Sequence, residues 1–382
     1  MITRIKSTRI ILEDSLLDGY VYFDGERITA VTAEELPHDA EYDFGDRYVS
    51  PGFIDIHTHG AGGNDFIDGD PDTVIRGAEY HLAHGTTSIL PTLSAAPIDQ
   101  MENAVKAIRE AKKSGRCHAN IIGAHLEGPY FSPEQCGAQC TDYMTDPIPA
   151  DYTRLVETYG DAIARWSYAP ERDTDGSFAA YLTSHGVLAA AGHTNAIYDD
   201  MLRAEKNGCS LVTHLYSATS TITRKGGFRR LGVIESALLS DDMYVEIIAD
   251  GRHLPPELIR LILKVKGTDK VALITDSLSI AGTDVKHGFM LKTEYIIEDG
   301  VCKLVDRSAF AGSIATADML VRVVSGEAGV PLVDTVKMIT KVPAEILRVN
   351  KGVLAAGRDA DIVVFDDGIN VTDIFVMGKK VK

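Results

Sequence analysis

YVSPGFIDIHTHG, residues 48–60, is an apolar strand-like run that ends on two histidines, and seven later runs follow the same plan. They are TSILPTL (87–93), NIIGAHL (120–126), ARWSYAP (164–170), VLAAAG (187–192), LVTHL (211–215), VEIIAD (245–250) and VALITD (271–276). At or just past the ends of six of the eight stand His57 and His59, Glu127, His193, His214, His253 and Asp276. Short apolar runs bounded by turn residues read as strands buried on both faces. Reactive side chains gathered at the same end of successive strands predict one chemical rim.

The segments between the runs have helical spacing. PDTVIRGAEYHLAHG (71–85), APIDQMENAVKAIREAKKSG (96–115) and IYDDMLRAEKNG (197–208) are the clearest, with Pro71 and Pro97 near two starts and Gly85, Gly115 and Gly208 at the three ends. Strand–helix units repeated eight times predict an α/β chain folded as a (β/α)8 TIM-type barrel over residues 51–349. An open doubly wound sheet is the alternative, but it gathers ligands at one switch point rather than around a rim. Residues 1–50 instead read as short strands with turns expected at Asp18-Gly19 and Asp24-Gly25, and 350–382 has the same texture. Both ends are expected to build one small β-sandwich domain.

Composition narrows the function classes. Of the 382 residues, 55 are Asp or Glu and 38 Lys or Arg, a net charge of −17 with no basic stripe, which argues against a nucleic-acid partner. The first residues, MITRIKSTRIILED, lack the apolar core of a secretory signal, and no run is long enough to span a membrane. Five cysteines without a CxxC pair read as free thiols, so the expected setting is cytoplasmic. No GxxxxGK[ST], GxGxxG or GxSxG motif occurs, which removes motif support for nucleotide, dinucleotide and serine-hydrolase readings.

The rim residues are the types that hold a divalent metal. Strand alternation puts His57 and His59 on one side of an extended chain, within reach of one ion. Glu127 follows an almost wholly apolar strand, where a carboxylate needs a partner. With His193 and His214 it would supply three protein ligands and leave a water position open. Asp276, brought beside His57 and His59 by barrel closure, is placed as general base and then acid. His253 lies beyond a glycine turn and suits substrate contact. Arg224 and Lys225, with Arg229 and Arg230, could bind an anionic group such as a phosphate. Histidine and carboxylate ligands suit zinc first, and also iron, manganese or cobalt, one or two ions per chain.

PGFIDIHTHG (51–60), HLEGPYF (125–131), AGHTNA (192–197), THLYSA (213–218), ADGRHL (249–254), LITDS (273–277) and AGS (311–313), in this order, resemble the N-acetylglucosamine-6-phosphate deacetylase family of the amidohydrolase superfamily. The resemblance covers essentially the whole chain. It implies hydrolysis of the acetamide of an amino-sugar phosphate, with Glu127, His193 and His214 at the main metal site and His57 and His59 at a second. It further implies Asp276 as catalytic acid/base, His253 as a substrate contact, the loop of Ser313 lining the sugar pocket, and a homodimer. Run four carries no lysine to bridge two metals, leaving Glu127 for that role.

Two departures bear on substrate. Gln139 stands where the family usually has a histidine near the amide carbonyl, and glutamine can donate a hydrogen bond but carries no charge. Ser217-Ala218-Thr219 replaces Asn-Ala-Met, and RKGG (224–227) replaces Arg-Glu-Pro-Gly, in segments that help hold the sugar phosphate, partly across the dimer. N-acetylgalactosamine-6-phosphate, another N-acyl compound and a cyclic amide therefore stay open as substrates. A scaffold without catalysis is disfavoured, because every expected ligand is present.

Overall fold

The computed structural model describes residues 1–382. Its barrel strands are β1 (Phe53–Thr58), β2 (Thr86–Leu93), β3 (Ala124–Glu127), β4 (Ile163–Tyr168), β5 (Leu188–Ala191), β6 (Leu211–Val212), β7 (Tyr244–Ile248) and β8 (Val271–Ile274). They pair in parallel, each with the next in chain order. The seam between β8 and β1 is joined at the rim, where the Asp276 N–H donates to the His57 carbonyl (2.9 Å) and the His59 N–H to the Ser277 carbonyl (2.8 Å). This is the (β/α)8 barrel read from the runs. Strands such as β2, buried at all eight positions, show why those runs are continuous rather than alternating.

The three clearest helices form where expected, at Pro71–Ala83, Ile98–Ser114 and Tyr198–Lys206. Ile98–Ser114 buries Met101, Ala104, Val105, Ile108 and Ala111, the single face its spacing encodes, and Gly115 ends it at φ +63°. Asp70 caps Pro71–Ala83 by accepting from the Asp72 N–H.

Strands from both chain ends make one sheet that branches at Ile2–Ile11. The first half of that strand pairs with Ala40–Asp43, and the second half with Tyr48–Pro51. Ile362–Phe365 then pairs with Tyr48–Pro51 and with Val371–Val376. Val21, Phe23 and Ile28 from one limb meet Ile362, Val364 and Phe375 from the other in one core, with the Phe23 and Phe375 rings 6.0 Å apart.

Two sequence expectations are corrected, and one inserted element is new. Residues 48–56 are not one strand: Tyr48–Pro51 belongs to the small sheet and Phe53–Thr58 to the barrel. Gly52 stands at the joint, where a Cβ would lie 2.1 Å from the Thr87 hydroxyl. Asp18-Gly19 is no turn but lies inside the strand Leu16–Asp24, where Gly19 admits the close approach of the Thr32 carbonyl; the hairpin turn is at Gly25, φ +55°. Between β8 and the next helix the chain inserts a three-stranded antiparallel sheet, His287–Met290, Thr293–Glu298 and Val301–Leu304. Its apolar residues Met290, Tyr295 and Cys302 pack with Ala138 and Leu278 to form a roof beside the rim.

Candidate active site

The rim places its side chains by a repeated local device. Glu127 ends β3, while His193, His214 and Asp276 each stand two residues past β5, β6 and β8. Those three have left-handed backbones, at φ +46°, +31° and +46°. For residues with a Cβ this costs roughly 1–2 kcal/mol each, and it persists where the surroundings over-determine the geometry. At Asp276 they do: its N–H is held by the His57 carbonyl and its carbonyl accepts from the Ser313 N–H at 2.8 Å.

All six proposed ligands are buried and converge on two carboxylates. Glu127 Oε1 lies 3.1 Å from His214 Nε2, 3.2 Å from His193 Nε2 and 3.4 Å from His57 Nε2. Its Oε2 lies 3.2 Å from His59 Nε2 and accepts a 2.6 Å hydrogen bond from Gln139 Nε2. Asp276 Oδ1 faces His59 Nε2 at 3.3 Å and His57 Nε2 at 3.5 Å.

The donor set fits a divalent cation. His193 Nδ1 lies 3.0 Å from the Gln135 carbonyl and His214 Nδ1 lies 3.1 Å from the Ser217 carbonyl. A carbonyl only accepts, so each Nδ1 carries a proton, and Nε2 is the ring nitrogen turned toward Glu127 and available to ligate. Those two Nε2 atoms are 3.2 Å apart and both face Glu127 Oε1, an arrangement that calls for a positive centre between them. His57, fully buried, has no hydrogen-bond partner at either nitrogen. Two groups, His57–Glu127–His214 and His57–His59–Asp276, hold their ligand atoms within 4.8 Å of one another.

Protons fill part of that role in the metal-free chain. Burial opposes charging His57 and His59, yet Glu127 and Asp276 outweigh it and hold them at about 9 and about 10. Burial also works against the Asp276 carboxylate, but the His57 and His59 charges keep it below its ordinary range. At His214 burial prevails and pushes the ring down. Raised histidine values stabilise the metal-free fold fully below the ordinary 6.5, and this contribution is lost as pH rises through about 9 to 10. The stabilisation conferred by metal should therefore grow between pH 7 and 10. Melting temperatures with and without a chelator across that range check this, and a constant or shrinking gap would contradict it.

Above the carboxylates opens a cavity of about 260 Å³. His59, Glu127, His193, His214 and Asp276 form its polar floor, and His57 lies behind them, fully buried. Gln139, Ser217, Ala218 and His253 line it, joined by Met290 from the inserted roof and by Phe310 just after it. His253 is braced through Nδ1 by Asp250 Oδ2 at 2.9 Å, and its ring packs edge-on to Phe310. Gln139 is committed on both sides: its amide oxygen accepts from the Ala95 N–H (2.9 Å), and one N–H goes to Glu127.

The structure does not bring three sequence-nominated residues into this cavity. Ser313 is fully buried and its hydroxyl donates to the Thr275 carbonyl, so Gly312 lines the space instead. Arg224 and Lys225 lie on an exposed hairpin, Thr223–Lys225 with Phe228–Arg230, away from the cavity of their own chain. Sequence reasoning also missed Arg165 and Glu246, fully buried inside the barrel. The signal was available, since each is a charge set inside an apolar run and a buried charge needs a partner.

With this geometry in hand, comparison with known proteins decides the family. The Amidohydrolase family model matches residues 48–381. The chain belongs to the amidohydrolase family. N-acetylglucosamine-6-phosphate deacetylase of Haemophilus influenzae is 32% identical over 374 residues, covering 96% of this chain and 95% of that one. N-acetylgalactosamine-6-phosphate deacetylase of Shewanella sp. (strain ANA-3) is 30% identical over 366 residues, covering 95% and 89%. Among solved structures of amidohydrolases, a point mutant of the Mycobacterium smegmatis N-acetyl-D-glucosamine-6-phosphate deacetylase, in complex with N-acetyl-D-glucosamine-6-phosphate, superposes with a TM-score of 0.92. It is 30% identical and covers 100% of this chain and 99% of that one.

Proposed function

We propose that this chain hydrolyses the N-acetyl group of an amino-sugar phosphate, first of all N-acetylglucosamine-6-phosphate, releasing acetate and the free amine. The observation that carries the reading is the convergence of four histidine Nε2 atoms on Glu127 and Asp276 at a cavity floor. Glu127, His193 and His214 would hold one divalent cation, and His57, His59 and Asp276 a second. Zinc is the first choice, with iron, manganese and cobalt suited to the same ligands. When bound, such a cation lowers the pKa of a water and polarises the acyl carbonyl.

The remaining steps belong to side chains. Asp276, kept ionised by its histidine neighbours, takes the proton of the attacking water. As the carbon–nitrogen bond breaks, the same carboxyl returns that proton to the leaving amine. Gln139 has one N–H left beyond its bond to Glu127, a donor that would steady the acyl oxygen. His253, fixed by Asp250, orients the sugar.

The hairpin supports the expectation of a homodimer. Phe228 at its tip is 80% exposed beside Arg224 and Lys225, and a second chain would cover it and receive those cations near its substrate phosphate. No helix is long and apolar enough to cross a membrane. With five free cysteines, a cytoplasmic setting is part of the same proposal.

The Shewanella relative gives the galactosamine epimer specific support as a second substrate. Acetate release from both epimers and from unphosphorylated N-acetylglucosamine tests the reading. We expect one phosphorylated epimer to lead by at least about tenfold, a difference of ~1.4 kcal/mol in transition-state binding. Equal rates with and without the phosphate would remove the sugar phosphate as substrate.

A further inference from the structure

Beneath the rim lies a second polar layer that the steps above do not use. Arg165 on β4 and Glu246 on β7 meet inside the barrel, both fully buried. Arg165 Nη1 and Nη2 donate to the two oxygens of Glu246, the second at 2.8 Å. The same guanidinium donates to the Ile56 carbonyl (3.2 Å) and the Thr213 hydroxyl (2.8 Å), groups belonging to the residues just before His57 and His214. Ser167 extends the layer to His125 Nε2 (2.7 Å), two residues before Glu127. Thr92 closes it, 3.1 Å from His125 Nδ1 and accepting from the Thr58 N–H between the two rim histidines. The pair and the hydroxyls around it thus touch β1, β3 and the end of β6, three of the strands that carry candidate ligands.

Glu246 also faces a ligand directly. Its Oε2 lies 3.6 Å from His57 Nδ1, a nitrogen that makes no hydrogen bond. That is longer than a hydrogen bond, yet a carboxylate facing one ring nitrogen in a dry interior favours the proton on that nitrogen. Nε2 faces Glu127 Oε1 and Asp276 Oδ1 at 3.4 and 3.5 Å, so a cation taken up there displaces the proton of that nitrogen while Glu246 keeps the one on Nδ1. Glu246 can stay charged there because Arg165 engages both of its oxygens.

We propose that Glu246, locked by Arg165, is a positioning residue that selects the ligating tautomer of His57 and so sets the affinity of the cation position shared by His57, His59 and Asp276. This rests on the metal-dependent reading above and deepens it. The competing account is a buried ion pair that only braces the barrel.

Zinc titration of the chelator-stripped chain separates the two, using Glu246→Gln and the double variant Arg165→Met with Glu246→Leu. The double variant leaves no buried charge unpaired, so it keeps the test open if the single one folds poorly. His57→Ala identifies which zinc equivalent depends on that ring. Both Glu246 variants should weaken that equivalent by about 10–100-fold, as loss of an outer-shell partner does, and leave the other near its wild-type affinity. Unchanged affinity for every equivalent would overturn the proposal. So would equal weakening of all equivalents together with a lower melting temperature of the metal-free double variant, the outcome a bracing role predicts. Failure of the wild-type chain to take up zinc, manganese or iron would instead sink the metal-dependent reading itself, before any variant is compared.

Discussion

Asp276→Asn is expected to lower kcat by about three orders of magnitude, within the ~10²–10⁴ range for loss of a positioned general acid–base. The substitution isolates proton transfer. Asparagine tolerates the left-handed backbone that Asp276 adopts at φ +46°, so the loop set by the His57 carbonyl and the Ser313 N–H keeps its shape. Its amide oxygen can still face His57 and His59, and the ligands Glu127, His193 and His214 are untouched. Metal content should stay at one equivalent or more while turnover collapses. Steady-state kinetics with metal analysis of the same sample checks both halves. A variant with near-wild-type kcat would take Asp276 out of the mechanism, and loss of all metal would make it primarily a ligand.

Glu127→Gln is expected to have the complementary effect, weakening metal binding and abolishing activity together. Four histidine nitrogens lie within 3.1–3.4 Å of its two oxygens, so this single carboxylate balances more of the centre than any other group. An amide is neutral and offers one acceptor, while its NH2 would point donors at nitrogens or at Gln139. The loss in metal affinity should exceed the ~10–100-fold typical of an outer-shell partner. Glutamine is nearly isosteric, so the fold should persist, as measured by the circular dichroism and melting of the stripped chain. Retention of metal at wild-type affinity would contradict the ligand assignment.

The barrel was legible because both-face burial writes strands as continuous apolar runs, and the site because its members end those runs. His57, His59, Glu127, His193, His214 and Asp276 could be named from position alone, and the structure brings all six together. What stayed hidden depends on geometry that a linear pattern does not carry. Gly52 stands where the apolar run passes from one sheet to the other, at a point where a Cβ would clash with Thr87, which is remote in sequence. The roof of His287–Leu304 has partly buried strands with weak alternation, and nothing in the runs announces that it covers the cavity. Ser313 was nominated by resemblance, yet its hydroxyl turns inward to the Thr275 carbonyl. Arg165 and Glu246 sit mid-strand, where only the closed barrel shows that they face each other.

Whether this chain is a metal-dependent deacetylase is decided by acetate release from N-acetylglucosamine-6-phosphate, measured on the chain stripped with a chelator and then reloaded with zinc, manganese or iron. We expect negligible release from the stripped chain and turnover restored by at least one of these metals, with acetate and free amine formed in equal amounts. Undiminished release from a chain shown to be free of metal would contradict it.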